Sequence, residues 1–448
     1  MTNRADLRTE ARSLLRIATP VVIAEIGWMS MGLVDTVMVG PLGPEAIAAT
    51  GLGGGVFTAI GIFGMGLLLG LDTLVSQAFG GGRLEECRHL LRQGLWLALL
   101  TVPVVLAAGG VAYWTMDIWG LNPEIYRLAR PYFAVITLSA VPLLLYAALR
   151  RYLQGIHVVR PLMFALVSAN LVNVAANYLL VYGHLGFPAM GVRGSALATV
   201  LARCYMAGFL WFAVTLTLRR AQGAPADRSR RIDFGTLRRL LALGLPASTQ
   251  ITLEVGAFTV ATAFAAQLDT SSSASHQIAL NIAGLAYMVP LGLCSAAAVR
   301  VGHAIGAGDR SRAVTSGWLA IGIGCALAGA LALVMIMAPT PILSVFTRDP
   351  RVLQIGAVLL AIAAAFQLFD SVQTVAIGAL RGLGDTMTPM VINLVVHWVI
   401  GLPIGFALCF HFGWGVTGIW TGFSTGLVVA SFVLLTVWVR RTQVLLTC

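Results

Sequence analysis

Four carboxylates stand inside stretches that are otherwise almost wholly apolar: Glu25, Asp35, Glu254 and Asp370, with Asp72 in "GLLLGLDTLVSQ" a weaker fifth. An ionised side chain in hydrocarbon costs ~2.5 to 3.5 kcal/mol even on the lenient insertion scale, so it usually faces a cavity, a partner or an ion path. Around Asp370 the remaining polar residues are Gln367, Gln373 and Thr374, at spacings of three and four that gather them on one helical face. Gln250 precedes Glu254 by one turn, "SANLVNVAANYLL" puts Asn170, Asn173 and Asn177 on a single face, and Gln277 and Asn281 make a similar pair. Carboxylates flanked by amides can bind an organic cation or store a proton. Glu254 and Asp370 together with nearby amides could also offer Na⁺ several oxygens. The amides have a structural reading as well, since Asn and Gln in apolar helices often only glue helices together at ~0.6 kcal/mol per contact. For the acids a basic partner is scarce. The chain has no lysine, and Arg203 is the one arginine inside an apolar run, so at most one of these carboxylates is expected to have a buried basic partner.

The elements that carry these groups follow from composition. Of the 448 residues, 58% are hydrophobic and 10% charged, with a mean hydropathy of +0.87. Soluble domains have about a quarter of their residues charged, so this is an integral membrane protein. Apolar runs long enough to cross ~30 Å of hydrocarbon as helix recur near residues 14–38, 46–79, 90–114, 124–150, 160–182, 189–218, 238–265, 273–305, 312–338, 350–379, 387–410 and 413–440. They predict an all-α fold with twelve transmembrane helices, of which the long second and eighth have room for a kink.

Charge placement sets the orientation. All 29 basic residues are Arg, against 18 acids, for a net charge of +11. With the N-terminus inside, 23 arginines fall in cytoplasmic segments, and only Arg127, Arg130, Arg193, Arg348 and Arg351 fall in outer loops. That asymmetry is the positive-inside pattern, and it makes both termini cytoplasmic. The positive charge therefore concerns topology and gives no reason to expect nucleic acid as a partner. The N-terminal run contains Glu25 and Asp35 and is too long for a signal core, so it reads as a retained span. The six cysteines (87, 204, 294, 325, 409 and 448) show no paired spacing and suggest neither a disulfide framework nor a metal site.

One long polar stretch, "RRAQGAPADRSRRIDFGTLRR", interrupts the middle of the chain at residues 219–239. It divides two halves that resemble each other. "LLRIATP" ending at Pro20 matches "LLALGLP" ending at Pro246, and "QAFGGGR" from Gln77 matches "HAIGAGD" from His303. "LQG" from Leu153 answers "LRG" from Leu380, and "GVRG" from Gly191 answers "GVTG" from Gly415. Duplication predicts an N-terminal six-helix lobe over 1–218, a cytoplasmic linker over 219–237 and a C-terminal six-helix lobe over 238–448. With an even number of spans in each half, the repeats run parallel, an arrangement that binds substrate near the midplane and exposes it alternately to the two sides.

Taken in order, "LVDTVMVG", "NLVNVAANYLLVYG", "LEVGAFTVA", "ASHQIALNIAGLAYMVPLGL", "RVGHAIGAGD" and "FQLFDSVQTVAIGALRGLGDT" resemble the multidrug and toxic compound extrusion (MATE) family, in its NorM-like bacterial branch, over nearly the whole chain. The resemblance implies two six-helix lobes in a V, placed in the bacterial cytoplasmic membrane and working as a monomer among its lipids. It also implies export of organic cations against an inward Na⁺ or H⁺ gradient, with no cofactor. Asp35, Glu254 and Asp370 match the acids of the first, seventh and tenth spans, where the coupling cation is expected. Asn173 and Asn177 match amides of the family's N-terminal lobe, Gln277 and Asp349 match positions of drug contact, and Glu25, Gln250, Asn281 and Gln367 join these four as candidate substrate-binding residues. Some members of this branch carry Tyr four residues before the tenth-span acid. This chain has Phe366 there, which removes a potential Na⁺ ligand.

Other classes fit less well. HExxH, P-loop and GxSxG patterns are absent. "GLGD" at Gly382 to Asp385 resembles the GxGD signature of intramembrane aspartyl proteases, but between Arg381 and Pro389 it reads as a turn. A flippase for lipid-linked precursors would line its cleft with Arg, and only Arg203 is available.

Overall fold

The computed structural model describes residues 4–220 and 231–447. Among these there is no strand. The helices are α1 (Arg4–Val39), α2 (Pro44–Leu67), α3 (Gly70–Gly80), α4 (Leu84–Thr115), α5 (Pro123–Thr137), α6 (Ala140–Gly155), α7 (Arg160–Tyr182) and α8 (Val192–Arg220), followed by α9 (Phe234–Ala265), α10 (Thr270–Gly306), α11 (Arg310–Met337), α12 (Pro339–Ser344), α13 (Pro350–Leu383), α14 (Met387–Leu394), α15 (Leu402–Phe406) and α16 (Val416–Thr447). Two π-helical stretches, Val395–Gly401 and Ala407–His411, flank α15 and continue its segment.

Ten helical segments are long and apolar enough to cross a membrane, and α5 with α6, bent by 46° at their junction, make an eleventh. The twelfth expected span is α9, which has 32 residues. Its length is sufficient, and its apolarity is lowered by Gln250, Glu254 and its hydroxyl residues. The chemistry the span carries is what weakens its hydropathy signal. The long second run does break, between α2 and α3 at Leu68–Leu69, whereas the long eighth run is one unbroken helix with Pro290 inside it.

Loop chemistry sets the helix starts. Asn122 caps α5 by accepting from the Glu124 amide, with Pro123 at the first helical position. Asp269 accepts from the amides of Ser271 and Ser272 at 3.1 Å and caps α10. The Ser272 hydroxyl and those amides hold its carboxyl below the ordinary range. Asp309 caps α11 through the Arg312 amide at 2.9 Å. Ahead of α9, Asp233 accepts from Thr236 Oγ1 at 2.6 Å, from the Gly235 amide and from His89, and the Thr236 hydroxyl leads in drawing its carboxyl down to about 2. The turn after α13 uses Gly384 at φ 92°, and Asp385 accepts from Arg441 Nη2 and from the Thr388 amide and hydroxyl. The "GLGD" segment is thus a capped turn.

Packing divides the chain into two units, Met1–Val22 with Thr249–Cys448, and Ile23–Ser248. Helices α1 and α9 each contribute to both. Repeat-related glycines receive these shared helices. A Cβ on Gly66 would lie 2.6 Å from the Cα of Ser248 in one unit, and a Cβ on Gly292 would lie 2.3 Å from Val22 Cγ2 in the other. Real Cβ atoms do not approach so closely, so only glycine lets the helices pack here. Early in α1, Glu10 is buried and accepts from Arg300 Nε at 2.8 Å and Nη2 at 2.5 Å, from Arg312 Nε at 3.1 Å and from Ser316 Oγ at 2.7 Å. The residues up to Val22 are thereby tied to α10 and α11.

Candidate functional site

Within Ile23–Ser248, the second half of α1 carries Asp35 into the interior, where it is 5% exposed. Its Oδ1 accepts from Asn173 Nδ2 at 3.0 Å and Asn177 Nδ2 at 2.9 Å, and its Oδ2 from Thr199 Oγ1 at 2.5 Å. Asn173 and Asn177 are one turn apart on α7 and fully buried. Their amide oxygens have no donor, so two acceptors stand ready for a cation that joins Asp35. Asn170, on the same stripe, behaves differently: its Nδ2 donates to the backbone oxygens of Gly27 and Leu166, and it works as helix glue. Thr199 carries no signal in the sequence, because hydroxyl residues are ordinary in helices of this kind.

Two other acids of this unit have basic partners; only one of those partners, Arg150, is buried, and it is not Arg203, the arginine to which the sequence pointed. Glu25 is ion-paired with Arg150, both side chains being buried. Asp72 pairs with Arg151 at 3.1 Å. These arginines stand near the end of an apolar run in sequence, yet α6 continues to Gly155 and brings them level with the acids. Glu25 is therefore engaged in an internal ion pair, where the sequence suggested a substrate contact.

Within the other unit, α9 and α13 bring Glu254 and Asp370 close enough for their charges to act on each other. Gln250 and the Tyr287 hydroxyl neighbour Glu254, and Thr374 of α13 neighbours Tyr287. Asp370 is 4% exposed. Among the described residues, neither carboxylate has an arginine within 4.0 Å. A pair of like charges with no counter-ion is costly to keep ionised, and a cation or a proton relieves it. Tyr287 is a neighbour of the pair that the sequence did not single out. Gln367 is fully buried with neither amide atom partnered, and Gln373 donates to Asn393 Oδ1 at 3.2 Å. Phe366 packs at a ring-centroid distance of 6.5 Å from Phe258 and 6.0 Å from Trp420, so an aromatic cluster occupies the position where some relatives carry a phenol.

Three further residues expected to contact substrate are exposed. Gln277 and Asn281 do share a face of α10, as their spacing predicts, but both are exposed. Asp349 is exposed and caps α13 through the amides of Arg351 at 2.8 Å and Val352 at 3.2 Å. Among the described residues, no group of three or more His, Cys, Asp and Glu could hold a metal ion.

The model of the MatE family matches this chain twice, over residues 20–179 and 246–407. The chain belongs to the MatE family. The two matches begin at Pro20 and Pro246, the prolines that the internal repeat pairs. Among curated proteins, the chain is 36% identical to the "Probable multidrug resistance protein NorM" of Mesorhizobium japonicum, over 98% of this chain and 95% of that one. It is also 36% identical to "Multidrug resistance protein PmpM" of Pseudomonas aeruginosa, over 96% of this chain and 91% of that one. A crystal structure of MATE in complex with MaL6 superposes with a TM-score of 0.89 at 21% identity, covering 100% of both chains. The fold is accordingly the twelve-helix, two-lobe MATE fold, and this multi-pass membrane protein is a transporter of that family rather than an enzyme.

Proposed function

We propose that this MATE transporter exports organic cations from bacteria across the cytoplasmic membrane, as a monomer with both termini cytoplasmic, in exchange for H⁺ or Na⁺. The observation that carries the reading is the Glu254–Asp370 pair, two carboxylates, one half-buried and one buried, without a basic partner among the described residues of a chain that has no lysine. Relatives that are 36% identical over nearly the full length bear the name multidrug resistance protein. An apolar organic cation has its charge met by carboxylates and amide oxygens. An ion arriving from outside takes over those same oxygens, removes the charge that held the substrate, and so couples its own entry to release. Protonation needs only the carboxylates. Na⁺ needs several oxygens, which Gln250, Tyr287 and Thr374 can supplement and which Phe366 does not. A proton gradient alone therefore drives export, and Na⁺ adds to it.

The test is accumulation of ethidium in drug-sensitive cells. The wild type lowers it relative to empty vector, and Glu254→Gln, inserted to the same level, does not. Wild-type efflux by that variant would falsify the reading. The orientation rests on arginine placement and is checked at Cys448, which lies outside the described residues. In a variant lacking the other five cysteines, an impermeant thiol reagent should label it only in opened cells.

A further inference from the structure

The unit that holds Asp35 also holds a buried cation with no anion on it. Arg203, on α8, is 7% exposed. Its Nη1 donates to Ser139 Oγ at 2.5 Å, and that hydroxyl in turn donates to the Ile136 carbonyl. Its Nε has no partner, and among the described residues no carboxylate oxygen lies within 4.0 Å. Aromatic faces line it instead: the Phe57 ring centroid is 4.9 Å from the guanidinium carbon and that of Trp28 is 5.8 Å away. Cation–π contacts offset only ~2 kcal/mol of desolvation, and taking an ion out of water costs several. The three hydrogen bonds of Asp35 come from Asn173, Asn177 and Thr199, none from Arg203.

Arg203 follows Thr199 by four residues on α8, so the two share a helical face and are separated by roughly 6 Å along the axis. Each pole of this unit has an unmade bond. At Asp35 the unmade bonds are the acceptor oxygens of Asn173 and Asn177, and at Arg203 it is the Nε donor. A simple organic cation would satisfy the first pole and leave the second bare.

We infer that Arg203 is a specificity-determining residue that takes the carboxylate of an amphipathic aromatic zwitterion, whose cationic end is received by Asp35, Asn173 and Asn177. The planar guanidinium suits a carboxylate, which Nε and an Nη can hold in parallel, and Trp28, the ring of the two that is not fully buried, supplies a face for an aromatic body. This assignment rests on the export reading above and narrows its substrate class.

The experiment compares two dyes that differ in one group: rhodamine 110, a xanthylium cation with a free benzoate, and rhodamine 123, its methyl ester. Equilibrium dialysis measures the binding of each to the purified full chain, and the reading is the ratio of acid affinity to ester affinity, from which a general loss of binding cancels. The wild type should bind the acid at least as tightly as the ester, whereas a purely acidic pocket would favour the ester. Arg203→Gln should lower the ratio about tenfold or more, the scale of one lost charge-assisted contact. Arg203→Lys, which keeps the charge and loses the fork, should lower it less and guards against misfolding of the first variant. A wild type that prefers the ester, or a ratio unchanged in either folded variant, overturns the assignment. Ion-driven efflux of the ester by wild-type proteoliposomes separates the two claims. If the ester is exported and the acid ignored, only the assignment to Arg203 fails; if neither dye is exported, the export reading fails with it.

Discussion

The two acidic sites of this transporter stand on duplicated scaffolds and yet are built differently. Asp35 has its hydrogen bonds supplied by two amides and a hydroxyl, and a buried guanidinium shares its unit. Glu254 and Asp370 have amide and phenol neighbours and no cation. The helices, their starts and their close glycines repeat, and the electrostatics do not. Gly66 receives Ser248 in one unit as Gly292 receives Val22 in the other. The halves thus share what packing demands and differ in charge: one unit holds a buried guanidinium in addition to its acid, and in the other no arginine lies within 4.0 Å of the acid pair among the described residues.

The comparison can be broken most decisively at the acid pair. Glu254→Gln removes one of the two uncompensated charges, and gradient-driven dye export should fall to the level of empty liposomes. In the other unit Thr199→Val deletes a hydrogen bond to Asp35 that is worth about 1.5 to 3 kcal/mol when made to a charged group. The affinity for ethidium should change by about tenfold or more, while the Glu254 site keeps its response to the ion gradient. Equal damage to both sites would show that they are not independent. The scaffold side of the comparison predicts symmetry. Gly66→Ala and Gly292→Ala each push a Cβ into a neighbour that cannot step aside, and each should destabilise by about 1 to 3 kcal/mol. Thermal unfolding in detergent compares them, and a large effect in only one would break the structural equivalence of the halves.

The smallest effect is expected at Asp233, the cap that starts α9. Its folded pKa of about 2 lies below the ordinary value near 4. It therefore contributes stability that is present above about pH 4 and is lost as pH falls through about 2. Asp233→Asn should lower the melting temperature slightly at neutral pH, and the difference from the wild type should close as pH falls toward 2. A difference that persists below pH 2 would assign the effect to something other than the ionised carboxylate.

Much of this was legible in the sequence, for identifiable reasons. An acid in an apolar run is expensive and conspicuous, which is why Asp35, Glu254 and Asp370 stand out, and Asn173 and Asn177 follow from helical spacing. Spacing says which residues share a face but not what covers that face, so Gln277 and Asn281 form a true pair on an exposed face. Thr199 and Tyr287 gave no signal, because a hydroxyl costs little in a helix until an acid is placed against it. Glu25 is a different case. Its partner Arg150 stands 125 residues away in sequence, near the end of an apolar run, and only the overlap of two long helices brings the two level. The reach of α9 was legible as well, since the run 238–265 nearly matches Phe234–Ala265 even though Gln250 and Glu254 lower its apolarity.

The central claim is that the Glu254–Asp370 pair receives the coupling ion and that a proton suffices. Dye export from proteoliposomes given a proton gradient or a Na⁺ gradient separately, for the wild type and for Asp370→Asn, tests it most directly. We expect the wild type to export under the proton gradient alone and faster when Na⁺ is added, and Asp370→Asn to export under neither. Export by the wild type that is absent with protons and complete with Na⁺ alone, or wild-type export by Asp370→Asn, would contradict the account.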